Sequence, residues 1–468
     1  MTDTATAPLS DPKSILSMFH IDPDIAEHID IGYREHILHI FIRLRKVPHI
    51  CPICQTRTVQ VSNYVTKTIN HSVINTAPCV IDYHARRFKC HCCNKTFYEN
   101  NPFSNHGERS SVATVYLVLQ DLKKITETYS AVAQRYHMST STVINIFDSH
   151  VSFTGMSLPE YLSIDEVFIP TDEGNRYLCV LIDFRTQQIV DILPSRKKDY
   201  LISYFSLIPR EERLNVKLVS SDMWNTYQIV AQTMLPASKF CVDRFHLLQE
   251  LSRQFNHVRI AVMNSNARIK EHYRKTKRER VLLPDEECQY RTACINYYAL
   301  KKFSWLFYPS SDNLLDPNRE KKYNRVFARY MNFSDIYDYI IHIDSDLEEM
   351  IDFKYAIESF YKTSTLENAR DSLSEIISMH RNSHIKEIRH YAGTLAQWKE
   401  GIVNSFTLVD GKRINNSRIE GVNKKLKTLK RNANGFKNFE RFKTRAAYCI
   451  NNDAGYSLTP VKRGDDRQ

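Results

Sequence analysis

The chain has 468 residues, 42% of them hydrophobic and 25% charged, with 64 Lys and Arg against 53 Asp and Glu. That length exceeds what one hydrophobic core supports, so two to four domains are expected, and the composition excludes a disordered or fibrous chain. Met1–Pro12 is polar with no signal-peptide core, and no run approaches the roughly 20 apolar residues of a membrane span, which points to the cytosol.

In chain order, residues 1–45 read as an N-terminal segment, disordered over 1–12, with strand-like alternation from His36 to Leu44. Residues 46–105 carry two knuckles, Cys51-Pro-Ile-Cys54 and Cys90-His-Cys-Cys93, separated by 35 residues. In a reducing compartment the eleven cysteines are not a disulfide framework. Two CxxC pairs can instead place four thiolates around one Zn²⁺, and Cys51, Cys54, Cys90 and Cys93 are the expected ligands of a zinc ribbon. Such a site is structural, because four protein ligands leave no open position. Asn94 suits the positive φ that often follows a knuckle, and Gln55 is less usual there. His91 and Cys92 blur the second knuckle, Cys79, His71 and His84 are rival ligands, and buried apolar thiols are the alternative reading. Arg86 and Arg87 either meet phosphate or are simply solvated.

Residues 106–155 turn to a helical period, and 130–147 have the plan of a helix-turn-helix. Ala133, Val143 and Ile146 face inward, the turn falls at 137–139, and Ser139 or Thr140 caps the second helix. Its polar face carries Thr140, Ser141, Thr142 and Asn145, short hydrogen-bonding side chains suited to base edges in a major groove. A plain helical hairpin is the alternative.

From Tyr161 to Val242 the pattern is of strands: 161–169 around Asp165, a hairpin of 177–182 and 188–193, then, after a helix near 200–208, two strands ending on Asp222 and Asp243. Three antiparallel strands followed by strands joined through helices is the order of a ribonuclease-H-like fold, a pattern analogy that does not itself give function. Residues 246–400 contain one glycine, Gly393, and three prolines, which favours helices. A further acid, Glu420, then lies on a helical stretch where Asn416, Glu420, Asn423 and Lys427 share a face. From Arg418 to Arg445 ten Lys and Arg oppose Glu420 and Glu440, a net of +8 over 28 residues, the footprint of a polyanion-binding surface. Three carboxylates beside such a surface are what phosphodiester cleavage by two Mg²⁺ about 3.5–4 Å apart requires.

These residues carry a family resemblance. The cysteine knuckles, the helix-turn-helix, IDE at 164–166, SSDMWNTY at 220–227, VDRFH at 242–246 and NSRIEGVNKKLKTLKRNANGFKNFERFKTR at 416–445 resemble bacterial insertion-sequence transposases of the ISL-three family over about 45–450. Gln55 replaces the usual knuckle glycine and Cys92 is extra. The resemblance implies an Asp-Asp-Glu triad of Asp165, Asp222 and Glu420 holding two Mg²⁺ or Mn²⁺ per active site. It makes 156–255 and 400–450 a ribonuclease-H-like catalytic domain, interrupted by an all-helical insertion at 256–399, with a disordered tail at 451–468. Asp243, Arg244 and His246 would be accessory.

The implied activity is that of a DNA transposase. It binds terminal inverted repeats through Thr140, Ser141, Thr142 and Asn145, holds phosphate with Lys424, Lys427, Lys430 and Arg431, cleaves the ends and joins the 3′-OH ends to target DNA. A homodimer or larger assembly on DNA, nucleoid-associated in a bacterial cytoplasm, is expected. A non-catalytic DNA-binding regulator and a ribonuclease-H-like nuclease are the alternatives.

Overall fold

The computed structural model describes residues 16, 17, 19, 21–74, 77–170, 176–307 and 314–460. The stretches expected to be disordered at 1–12 and 461–468 lie outside them. Strands β1 (Ala26–Arg34), β2 (Ile37–Leu44), β5 (Val61–Ile74), β6 (Ala77–Lys89) and β7 (Thr96–Tyr98) form the first sheet, and β3 (His49–Ile50) pairs with β4 (Arg57–Thr58) around the first knuckle. In β2 the alternate residues Leu38, Ile40, Ile42 and Leu44 are buried and pack with Ile81, Tyr83 and Ala85 of β6, with which β2 runs parallel. Because β1 pairs with β2 and β2 with β6, residues 26–44 belong to the same sheet as the strand that leads into the second knuckle, and the boundary expected at 45 falls inside this unit.

Helices α1 (Val112–Leu122), α2 (Tyr129–Arg135) and α3 (Thr140–His150) follow. Each is capped by a hydroxyl, of Ser111, Thr128 and Ser139, accepting a backbone N–H three residues on. The turn between α2 and α3 passes through His137 at φ 50°. The apolar faces converge on Val118, Leu122, Val132, Val143 and Phe147.

The central sheet has the order β10-β9-β8-β11-β12, from β8 (Tyr161–Phe168), β9 (Tyr177–Asp183), β10 (Ile189–Leu193), β11 (Leu218–Ser221) and β12 (Lys239–Val242). β8, β9 and β10 are antiparallel neighbours, whereas β11 runs parallel to both β8 and β12. The parallel connections run through helices: α4 (Lys198–Ser206) and α5 (Arg210–Asn215) before β11, and α6 (Asn225–Met234) before β12. The strands are buried nearly end to end because both faces are covered. One face packs on α4, α6 and the helices that follow β12.

Helix α7 (Arg244–Glu279) leaves the sheet and runs without a break across the boundary expected at 255, to pair with α8 (Pro284–Lys302). Beyond them come α9 (Phe333–Ile341), α10 (Ser345–Thr363), α11 (Ala369–His380), α12 (Lys386–Gln397) and α13 (Lys399–Asn404). The insertion is not all helical. β13 (Lys322–Asn324) and β14 (Arg329–Met331) form a hairpin, closed because Asn324 Oδ1 accepts the Val326 and Phe327 N–H groups and Ala328 takes φ 52°. A second short hairpin, β15 (Leu408–Val409) and β16 (Lys412–Arg413), returns the chain to the sheet. No helix among the described residues is long and apolar enough to cross a membrane.

α14 (Ser417–Asn432) and α15 (Phe439–Ile450) close the other face of the sheet. α15 also reaches the α1–α3 unit: Tyr448 is 1% exposed within that core and donates its hydroxyl to Leu119 O at 3.0 Å. Residues 451–460, expected to be disordered, pack instead. Asn451 exchanges side-chain hydrogen bonds with both the N–H and C=O of Ile189, and Ser457 N–H donates to His150 O. Tyr448→Ala should therefore cost about 3–5 kcal/mol and reduce hydrogen-exchange protection across α1–α3 more than across α9–α12; unaltered protection in α1–α3 would show that α15 is not part of their core.

Candidate active site and DNA-facing surfaces

The register of the central sheet decides which acids meet. β8 and β11 pair Ser163 with Ser220, and β11 and β12 pair Ser221 with Val242. Continued by a residue or two, that register sets Asp165, Asp222 and Asp243 in one row across three parallel strands, at the edge where β11 and β12 end. One ligand atom from each of Asp165, Glu166 and Asp222 lies within 4.8 Å of the others. Glu420, in the first turn of α14, comes from the far side of the insertion. Its carboxylate adds repulsion at Asp165, but its closest grouping is with Asp243 and His246. The three acids of the expected triad thus lie side by side in two adjoining clusters rather than in one.

Bringing these carboxylates together is electrostatically unfavourable. Burial, with the neighbouring charges of Asp222, Glu166 and Glu420, pushes Asp165 up to about 7, against the pull of the Glu166 N–H. Burial also raises Glu166, Asp222 and Asp243, each opposed by nearby donors or cations: Arg196 for Glu166, His246 for Asp222, and the Asn416 N–H for Asp243. Asn423 Nδ2 donates to Asp165 Oδ2 at 2.8 Å, Arg196 meets Glu166 at 2.5 Å, and Ser220 Oγ donates to Asn416 Oδ1 at 2.5 Å. A groove of about 600 Å³ opens beside the row, lined by Asp222, His246, Gln249, Arg253 and Asn256.

Sequence reading gave no role to Glu166, Arg196, Ser220 or Asn423. Glu166 adjoins Asp165, and Asn423 shows in the helical spacing from Asn416; Arg196 and Ser220 carry no local signal because their partners are distant in sequence. The shared face of α14 also divides: Asn416 and Asn423 are buried, while Glu420 and Lys427 are exposed. Arg244 is exposed and stacks on Tyr361 at 5.0 Å, facing the insertion.

The basic run is split as well. Arg418 donates to Phe184 O, Lys430 Nζ to Pro170 O at 3.1 Å, Arg441 grips Asp148 of α3, Lys443 pairs with Asp191 at 2.6 Å, and Arg445 is buried against carbonyls of Lys124 and Glu127. Half the run therefore holds the protein together. Lys424, Lys427 and Arg431 are exposed and repeat at helical spacing from Glu420, forming one stripe along α14. On α3, Thr140, Ser141 and Asn145 are exposed, and the half-buried Thr142 shares a hydroxyl contact of 2.8 Å with Ser139.

At the knuckles, Cys51, Cys54, Cys90 and Cys93 each place a sulfur within 4.8 Å of the others. Gln55 and Asn94 both adopt positive φ, 59° and 53°, so the first knuckle closes without a glycine. Hydrogen bonds from Thr56 lower Cys54 to about 6, whereas burial and the other thiols push Cys93 up to about 12 against the Lys95 N–H. The rivals are occupied elsewhere: Cys79 is in the sheet core, His71 bonds Ser111 and Phe19 O, His84 meets Thr66, and Cys92 is exposed outside the group.

Residues 162–446, which run from β8 through the insertion to α15, match the family model of the ISL3 transposases of DDE type, described as a transposase. The transposase for insertion sequence element IS1001 of Bordetella parapertussis is 22% identical over 418 residues, covering 88% of this chain and 91% of that protein. With more than half of its length matched and its two carboxylate clusters inside the matched region, the chain belongs to the ISL3 family of transposases.

Proposed function

We propose that this transposase binds the terminal inverted repeats of an insertion sequence, cleaves the strands at its ends and joins the freed 3′-OH ends to target DNA. The observation that carries the reading is the row of Asp165 and Asp222 on adjacent parallel strands, with the Glu420 helix laid across them. The strand order β10-β9-β8-β11-β12, antiparallel then parallel, supports a ribonuclease-H-like core. Carboxylates raised chiefly by burial, and at Asp165 also by neighbouring acids, are a donor set that fits hard divalent cations, Mg²⁺ or Mn²⁺. Asp165 and Asp222 would hold them, with Glu420 completing one site. Bound there, such cations would supply Lewis acidity toward the attacking and leaving oxygens of a phosphodiester.

The chain's own residues orient and hold. Asn423 fixes the rotamer of Asp165, and Arg196 keeps Glu166 turned toward the row. Lys424, Lys427 and Arg431 lead away from Glu420 along α14, where they would follow a phosphate backbone. Lys430, held by Pro170 O, is a weaker candidate for that contact than its neighbours. Water attacks first and frees a 3′-OH; that hydroxyl then displaces a second 3′ oxygen, so each step exchanges one P–O bond for another. The four converging sulfurs fit one structural Zn²⁺ in a zinc ribbon, and α3 of the helix-turn-helix reads the ends.

Asp165→Asn, Asp222→Asn and Glu420→Gln should each abolish cleavage of end-bearing DNA while leaving binding close to wild type, since each removes a charge and hardly any volume. A variant that still cuts at more than a few per cent of the wild-type rate would remove its residue from the machinery.

The ribbon has little apolar core of its own around the knuckles, so much of its folding energy should come from metal. Elemental analysis is expected to give one zinc per wild-type chain and none for Cys51→Ser; an unchanged zinc content would mean other ligands.

The two DNA-facing surfaces should separate by the kind of contact each makes. Asn145→Ala should weaken binding to the cognate end more than to scrambled DNA, by up to about 1–3 kcal/mol for a bidentate base contact. Lys427→Ala should weaken both alike and flatten the salt dependence by about 0.9 of a log unit per log unit of salt. Equal losses on both duplexes for Asn145→Ala would place specificity outside α3.

A further inference from the structure

Asp243, His246 and Glu420 make a second convergence of donors beside the Asp165–Asp222 pair. Asp243 ends β12 and starts α7, and His246 stands in the first turn of that helix. Glu420 stands in the first turn of α14. One ligand atom from each lies within 4.8 Å of the other two. Asp243 is only 2% exposed, and its two oxygens are used unequally. Oδ1 accepts the Asn416 N–H at 3.1 Å, while Oδ2 is buried with no hydrogen-bond partner among the described residues. A buried carboxylate oxygen without a donor is strongly disfavoured unless a cation or proton completes it. Asn416 is also held by Ser220, so the turn of α14 bearing Glu420 is fixed relative to Asp243 before any ligand arrives.

The donor set differs from its neighbour. Asp165, Glu166 and Asp222 offer only carboxylate oxygens, whereas this group adds an imidazole nitrogen. Oxygen-only sites suit Mg²⁺, Ca²⁺ and Mn²⁺, while imidazole favours the transition metals. We infer that Asp243, His246 and Glu420 form a mixed nitrogen–oxygen site for a divalent transition-metal cation, Mn²⁺ being the one the neighbouring set also accepts, so that the two cation sites of this transposase are chemically unequal. This rests on the transposase reading and deepens it: Glu420 serves the nitrogen-bearing site, and Asp243 and His246 are ligands rather than bystanders.

The test uses the full-length chain, stripped of exchangeable divalent ions, titrated with Mn²⁺ and followed by electron paramagnetic resonance. Electron spin-echo modulation is expected to show a directly bound imidazole nitrogen in wild type. That signal should vanish in His246→Gln, with Mn²⁺ still bound at the oxygen-only set, and should persist in Asp165→Asn. Glu420→Gln, a change at an exposed position, should weaken the nitrogen-bearing site about tenfold or more and provides the measurement if His246→Gln does not fold. A nitrogen signal that survives in His246→Gln, or bound Mn²⁺ with no nitrogen signal in wild type, would overturn the proposal and leave His246 as a neighbour of Asp222 and Asp243 rather than a ligand. Cleavage of end DNA without the nitrogen signal sinks this site alone. The nitrogen signal in a chain that never cuts end DNA supports the site and sinks the transposase mechanism.

Discussion

Asn423 donates to Asp165 across 258 residues of sequence, and the arrangement of the chain between them follows from the demands of that contact. The parallel register of β8, β11 and β12 sets like charges in one row, where burial makes each harder to ionise. Such a row needs donors and cations brought to it from outside the sheet. Arg196 comes from the loop after β10; Asn416 and Asn423 come only after the insertion, with Ser220 of β11 holding Asn416 in place. The insertion must therefore be a closed excursion, leaving at Asp243 and returning at Asn416. Gly401 marks how closely it returns, because a Cβ there would lie 2.7 Å from Val242 Cγ2 on β12.

The return also ties the α1–α3 unit to the central sheet. α15 places Phe439, Phe442 and Ala446 in the core under the central sheet and Tyr448 in the core of the α1–α3 unit. Arg441 binds Asp148 on α3, and Arg445 is buried at the same junction. One helix shared between two cores cannot move against either without exposing apolar surface. Helix α3 is thereby held at a set distance from the carboxylate row.

The same junction explains why the net charge of the run overstates its solvent-facing basic surface. Lysines and arginines in one run of sequence lie on different faces of α14 and α15, and the inward Lys443 and Arg445 meet an acid and carbonyls that burial would otherwise leave short of partners. Lys424, Lys425, Lys427, Arg431 and Lys437 remain exposed, and of these Lys424, Lys427 and Arg431 form the stripe that leads from Glu420 along α14.

What the amino-acid sequence determined by itself is what depends on short-range periodicity and spacing. The strands around Asp165, Asp222 and Asp243, the capped helix from Thr140, and the paired knuckles at Cys51 and Cys90 were all legible, since alternation, hydroxyl caps and CxxC spacing are local signals. Tertiary structure alone decided what depends on partners far apart in sequence. It put β1 and β2 in the sheet of the second knuckle, ordered residues 451–460 against β10 and α3, built a hairpin into the helical insertion, and turned half of a basic run inward. It also seated Glu420 beside Asp243 and His246 rather than squarely with Asp165 and Asp222. The angle at which α14 crosses the sheet is set by the packing of Ile419, Val422, Leu426 and Leu429, and that packing has no signature in the spacing of the acids.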